Sequence, residues 1–207
     1  DDGTLLMTTG DGFEYREASQ DTFSQLGKII RINSDGSVPA TNPFSNGEKG
    51  DPKIWSYGHR NPQGLALDQD TGAVYMHEHG PQGGDELNSV LPAKNYGWPA
   101  VTQGINYSGA YVSPLRSAPG VEEPLTSWVP SIAPSGLAIY KGAAFPDWYG
   151  DLFVGALVDQ EVRRINLESG KVAGEESIFT EVGARIRDVR AGPDGYLYIL
   201  TDSESGK

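Results

Sequence analysis

Four stretches of this chain repeat one design, and that repetition constrains the fold more than any single motif. Residues 1–11 (DDGTLLMTTGD), 69–80 (QDTGAVYMHEHG), 148–159 (WYGDLFVGALVD) and 192–203 (GPDGYLYILTDS) each run from an Asp/Gly turn through an alternating apolar strand to a polar end. GKIIRIN with SDGS, and RRINLESGK, add a strand followed by a tight turn between them. A strand–turn–strand unit returning at intervals of roughly 45–80 residues predicts a β-propeller with insertions, because a stacked solenoid repeats more evenly and with a shorter period. A two-sheet sandwich is the alternative. Strands are expected at 4–9, 27–33, 64–68, 73–78, 135–140, 151–157, 162–167 and 196–202, with a turn of helix only at 22–27 and 85–91. The fold class is therefore all-β, with residues 1–207 forming one domain.

Polar residues at strand ends converge on the axis of a propeller from distant parts of the chain, which nominates Asp11, His79, Asp159 and Asp202 for a shared site. Aspartates also start turns without any further role. The balance of 16 Lys+Arg against 28 Asp+Glu, a formal charge of −12, opposes nucleic acid and anionic membranes, while the carboxylates offer oxygen ligands to calcium. Zero cysteines exclude disulfides, thiolate zinc and a cysteine nucleophile. No segment approaches the ~20 apolar residues of a membrane-spanning helix.

Three clusters carry chemistry. In SYGHRNPQGLALD, Asn-Pro holds the backbone extended and Gln-Gly releases it, making a rigid loop that either positions a ligand or is merely polar. In HEHGPQGGDELN, His77 and His79 share a strand face, but neither a third histidine nor a helical HExxH pattern accompanies them, which argues against zinc. The Gly80-Pro81 and Gly83-Gly84 pairs instead expose carbonyls that a hard cation accepts beside a carboxylate. In GARIRDVRAGPDG, Arg185 and Arg187 lie two apart, with Arg190 opposed. Two adjacent arginines either clamp a polycarboxylate or pair with surface acids.

Taken in order, GHRNPQGL, EHGPQGGDELN, NYGWP, WVPSIAPSGLAIYKG, DLFVGAL and RIRDVRAGPDGYLYILTD make the chain resemble the soluble pyrroloquinoline quinone-dependent aldose sugar dehydrogenases, the glucose/sorbosone dehydrogenase family, over essentially its whole length. The resemblance implies a six-bladed propeller, about four blades of it in this chain, with the quinone on the axis and Ca2+ bridging cofactor and protein. The implied reaction oxidises the anomeric hydroxyl of an aldose sugar to a lactone, passes a hydride to the quinone and delivers electrons to an external acceptor, in the periplasm or outside the cell. By motif position it places Arg60, Asn61, Asp85, Arg185, Arg187, Asp202 and Asp11 at the cofactor. It gives the carbonyls of Gly80 and Pro81 to the bridging calcium, and Glu86 with the Tyr96 and Thr102 carbonyls to a second, structural calcium.

Two departures accompany the resemblance. Val158 stands where the family usually offers the quinone a lysine, a loss worth about 1.5–3 kcal/mol of gross interaction. The family's histidine base precedes the TLLMTTGD strand, and none of His59, His77 and His79 matches that position, so no catalytic residue is assigned. TDSESGK stops where a further strand is expected, and a polypeptide of this extent alone is expected to be inactive and prone to associate. The rival readings are a non-catalytic propeller binding carbohydrate or protein, and a calcium-dependent lactonase with little use for Arg185 and Arg187.

Overall fold

A computed structural model describes residues 2–203. The last residues of TDSESGK, from Glu204 onward, lie outside the described residues. The strands are β1 (Thr4–Thr9), β2 (Lys28–Asn33), β3 (Ile54–Tyr57), β4 (Pro62–Leu67), β5 (Val74–Glu78), β6 (Asp85–Ser89), β7 (Thr126–Trp128), β8 (Pro134–Ile139), β9 (Leu152–Ala156), β10 (Val162–Glu168), β11 (Lys171–Ile178), β12 (Ile186–Ala191) and β13 (Leu197–Thr201). They form four separate antiparallel sheets, ordered β1-β2-β3, β4-β5-β6-β7, β8-β9-β10-β11 and β12-β13. Each sheet is built from strands consecutive in the chain, with a long excursion between β6 and β7.

Adjacent sheets pack face to face, and three apolar cores fill the spaces between them. Ile29 meets Met76 and Val90 between the first two sheets. Tyr75, Leu87 and Trp128 meet Leu137, Leu152, Val154 and Ile165 between the second and third. Ala138, Tyr140, Phe153 and Val162 meet Ile186 and Val189 between the third and fourth. β9 shows why the sequence folds this way: period-two alternation sends Leu152, Val154 and Ala156 to one core and Phe153 to the other, and every residue of the strand is buried. The first strands of successive sheets touch in series, β1 to β4, β4 to β8 and β8 to β12. Sheets radiating from a shared line of inner strands make a propeller and not a two-sheet sandwich.

Both expected helical turns are corrected. Asp85–Ser89 is an interior strand, hydrogen-bonded to β5 on one side and β7 on the other, with Leu87 turned into the core. Backbone pairing on both flanks outweighs the local helical preference of the segment. Residues 22–27 form turns instead, because side-chain oxygens take the amides a helix would use: Asp21 Oδ1 accepts from Phe23 N–H at 2.9 Å and Ser24 Oγ from Leu26 N–H at 3.2 Å. The helical segments among the described residues are three short 3-10 turns, at Arg16–Ser19, Pro146–Trp148 and Thr180–Val182.

His77 and His79 do share a face of β5 and its extension, and both reach the third sheet. His77 Nε2 lies 3.2 Å from the Gly136 carbonyl, and His79 Nε2 lies 2.7 Å from that of Pro134. His77 is fully buried, its Nδ1 has no partner, and burial pushes its pKa down to about 4. The unfolded chain therefore binds a proton at this residue from about pH 6.5 downward while the native state resists until about pH 4. Stability falls with acidification across that window by an amount of order 3 kcal/mol. Urea melts at pH 7 and pH 4.5 are expected to differ by more in the wild type than in His77→Leu; equal differences would rule His77 out as the cause.

Candidate functional site

The Gly58–Asn61 loop enters β4 at the inner end of the second sheet, and Glu78 holds it there. The Glu78 carboxylate, 4% exposed, accepts from the Arg60 amide at 2.5 Å and the Asn61 amide at 3.3 Å, and lies 3.1 Å from His59 Nδ1. His59, completely buried, also bonds Ser56 Oγ at 2.9 Å and stacks on Tyr96 with ring centroids 4.6 Å apart. Its role is structural, and Glu78 is the residue that sequence reasoning missed. Strand alternation was the available signal, since it turns Glu78 away from the His77/His79 face.

Arg60 is buried and aimed. Its Nη1 donates to the carbonyls of His79 at 3.0 Å and Gly80 at 2.7 Å, and its guanidinium carbon lies 5.3 Å from the centre of the Trp98 ring. Trp98 Nε1–H donates to Asp11 at 2.8 Å, while the Asp11 amide donates to the Arg60 carbonyl at 2.8 Å. Asp11, Trp98 and Arg60 thus brace one another from three regions of the chain. Asn61 lies beside them, its amide oxygen accepting from Gln63 at 3.1 Å. Gln20 and Asn95 exchange side-chain amide bonds at 3.0 and 2.8 Å, tying the loop after β1 to the NYGWP segment.

The Gly80–Asp85 turn forms the next wall. A Cβ at Gly80 would fall 2.2 Å from the Gly83 carbonyl oxygen, and Gly84, at φ +73°, would press one to within 2.4 Å of the Gly104 nitrogen. Only glycine closes the turn this tightly. Asp85, fully buried, uses both oxygens: Oδ1 accepts from the Gly80 amide at 2.9 Å, and Oδ2 from Ser131 Oγ at 2.6 Å and the Ala133 amide at 3.0 Å. Between this turn and the 129–133 loop opens a cavity of about 720 Å³, lined by His79, Gly80, Pro81, Tyr107 and Val129 among others. The Gly80 carbonyl accepts from Arg60 with one lone pair and retains a second.

Behind Arg60 lies a void of only about 10 Å³, lined by Arg60, Glu78, Gly80, Glu86, Tyr96 and Thr102 with their neighbours. That is room for a single small occupant. Burial, then the neighbouring Glu78 carboxylate, raises the Glu86 pKa to about 8. The Thr102 carbonyl accepts from Arg116 Nη1. Glu86, Tyr96 and Thr102 are therefore brought together, as the sequence implied, with Glu78 as an unforeseen companion.

Arg185, Arg187 and Asp202 form a separate exposed group on the fourth sheet. Asp202 Oδ2 accepts from Arg187 at 2.6 Å and Arg185 at 3.2 Å, and the two guanidinium groups, Arg187 foremost, hold its pKa below the usual carboxylate range. Arg187 lines a groove of about 360 Å³ with Gln63, Gly64, Ser135 and Gly136, and Gln63 connects that groove to Asn61. Asp159 pairs with Arg163 at 2.8 Å. Val158 is 57% exposed, and its amide donates to the Ile132 carbonyl at 3.1 Å beside the cavity wall.

The family model for glucose/sorbosone dehydrogenase matches residues 1–207. The chain is 44% identical over 207 residues to aldose sugar dehydrogenase YliI of Escherichia coli, covering 99% of this chain and 56% of that protein. It is 30% identical over 240 residues to quinoprotein glucose dehydrogenase B of Acinetobacter calcoaceticus, covering 89% and 49%. A solved glucose dehydrogenase superposes with a TM-score of 0.94 at 49% identity, covering 99% of this chain and 60% of that one. The PQQ-bound aldose sugar dehydrogenase of Streptomyces coelicolor superposes at 0.74 and 29%, covering 99% and 56%. The chain spans about half the length of the curated relatives it matches.

Asp85 joins both walls of the cavity, and Asp85→Ala removes the acceptor of the Gly80 amide and the Ser131 hydroxyl and leaves the Ala133 amide only Ser131 Oγ at 3.1 Å. The expected cost is about 2–4 kcal/mol, with faster hydrogen exchange at the Gly80 and Ala133 amides. Unchanged exchange at both amides would show that the carboxylate does not hold the turn to the loop.

Proposed function

The chain belongs to the glucose/sorbosone dehydrogenase family, and from that premise we propose that it carries the cofactor-facing part of a quinoprotein that oxidises the anomeric hydroxyl of aldose sugars to lactones. The observation that supports the reading most directly is Arg60, buried between Trp98 and the carbonyls of His79 and Gly80, two residues that line the large cavity. A guanidinium held by the His79 and Gly80 carbonyls and the Trp98 ring, on a backbone fixed by Glu78 and Asp11, is a pre-oriented donor.

The residues fit pyrroloquinoline quinone in size and charge. A cavity of about 720 Å³ lies within the usual range for small-molecule sites; Arg60 adjoins it through the Gly80 carbonyl and Tyr107, and Arg187 lines a neighbouring groove, as cationic donors for a polycarboxylate. In this reading Arg60 and Asn61 face the cofactor, Asp11 and Asp85 hold the walls, and Arg185 and Arg187 share their donors between Asp202 and the ligand. The Gly80 and Pro81 carbonyls would hold one Ca2+. Glu86 and the Tyr96 and Thr102 carbonyls would hold the second, with the Glu78 carboxylate beside them. When bound, the quinone supplies the hydride acceptor and calcium the Lewis acid.

What the chain's own residues do is hold and orient. Asn61 offers an amide to a polar ligand while Gln63 fixes its oxygen. His59 and His77 are fully buried, and His79 is engaged through Nε2 with the Pro134 carbonyl, so none is assigned as the base that takes the anomeric proton. An external acceptor takes the electrons, and the periplasm or the outside of the cell is the proposed compartment.

With added quinone and calcium, the protein is expected to reduce an electron-accepting dye in the presence of glucose. Arg60→Ala is expected to lower the rate by about 100-fold. Absence of turnover from the complete protein would overturn the dehydrogenase reading.

Millimolar Ca2+ is expected to raise the thermal midpoint of the protein without quinone, and Glu86→Gln to abolish most of that rise. An equal rise in the variant would remove Glu86 from the ion's ligands.

A further inference from the structure

Two large aromatic rings stand in solvent at the mouth of the site, and neither is needed for the cores described above. Phe13 is 71% exposed and Tyr107 is 65% exposed, yet their rings stack with centroids 6.4 Å apart and planes inclined by 25°. Each belongs to a different side of the same opening. Phe13 borders a depression of about 410 Å³ together with Gly10, Asp11, Arg60 and Asn61. Tyr107 borders the main cavity beside Gly80 and Pro81, and its hydroxyl lies 3.5 Å from Arg60 Nη2.

The backbone under both rings is held in place. Phe13 adopts φ +64°, a left-handed conformation that is unfavourable for a bulky side chain. Asp11 stabilises it by accepting the Phe13 amide at 2.8 Å, the same Asp11 whose other oxygen takes the Trp98 indole. Tyr107 rides on a tight turn closed by Asn106 N–H to the Ala110 carbonyl and Gly109 N–H to the Asn106 carbonyl, both 2.8 Å. Arg16 Nη1 donates to Asn106 Oδ1 at 3.1 Å and ties the Phe13 loop to the Tyr107 turn across 90 residues of sequence. Solvent-facing aromatics on braced backbone, strained at Phe13, bury little surface for the fold, and their use lies in what they present.

We propose that Phe13 and Tyr107 form a platform for the second ring of a di- or oligosaccharide whose reducing end lies over Arg60 and Asn61, and that they set a preference for such sugars over free monosaccharides. The inference rests on the sugar-oxidising reading and adds the substrate class. The axial C–H groups of a pyranose face pack on an aromatic face, and the ring hydroxyls stay at its edge in water. A neutral sugar meets no repulsion from a chain of net charge −12, as an anionic ligand would. The platform adjoins the floor formed by Arg60 and Asn61, so an outward-growing saccharide reaches it next.

The test compares cellobiose with glucose in the natural gene product, using Phe13→Gly, which suits the positive φ, and Tyr107→Ala. The ratio of kcat/KM for cellobiose to that for glucose is expected to fall about tenfold in either variant and to return towards the wild-type value in Phe13→Trp. Tyr149→Ala, an exposed aromatic on the third sheet, leaves the ratio unchanged. A ratio unmoved by Phe13→Gly and Tyr107→Ala while both sugars are oxidised overturns the platform and leaves the dehydrogenase reading intact. If no sugar is oxidised, saturation-transfer NMR of cellobiose on the cofactor-free protein decides separately. Saturation of the non-reducing ring that is lost in both variants supports the platform, and its absence from the wild type overturns it. Saturation equal in all variants, or binding of a protein acceptor that the same substitutions abolish without any effect on cellobiose, also overturns it.

Discussion

The buried carboxylate of Glu78 is the point on which the site depends. A lone charged carboxylate at 4% exposure would be costly, and the chain answers with two backbone amides, the His59 ring and the Asn88 amide. Those bonds fix the 58–61 loop against β5, and with the loop they fix the direction in which Arg60 projects. The aromatic support from Trp98 and the link to Asp11 follow from that direction. Removing one member of such a network exposes the desolvation cost of the rest, which makes the arrangement nearly all-or-none.

The fold was legible wherever burial imposed alternation. β1 begins and ends at the residues expected, and β2, β5, β9 and β10 lie within a residue or two of their apolar runs. β3 (IWSY) escaped notice although Ile54 is fully buried, being only four residues long, and three other missed strands carry little apolar signal. β11 (KVAGEESI) is almost wholly exposed on its outer edge, β7 is three residues long, and β6 begins with two acids that look helical until β5 and β7 pair with its backbone. Edge and interior pairing are tertiary facts that a local pattern does not carry.

The candidate site was legible by motif and less so by geometry. GHRNPQG and EHGPQGGDE do converge, and the preference for oxygen over histidine ligands agrees with His59, His77 and His79 being engaged in holding the fold. Glu78, Trp98, Phe13 and Tyr107 were not singled out because their roles depend on neighbours distant in sequence, as in the Phe13–Tyr107 stack and the Trp98–Asp11 bond. Arg185 and Arg187 follow the second of their sequence readings: the carboxylate between them is the chain's own Asp202.

The order of strands within the third sheet has a practical side. β11 is its outermost strand, three places from the inner strand β8, and the β10–β11 turn carries Ser169 and Gly170 at positive φ with exposed Lys171 following. Chemistry done there is insulated from the inner strands by two hydrogen-bonded ladders. A dye, a polymer or an electrode linker coupled at Lys171 would hold the molecule by its rim with the inner ends of the sheets left open, which makes this turn the natural handle for immobilising the protein.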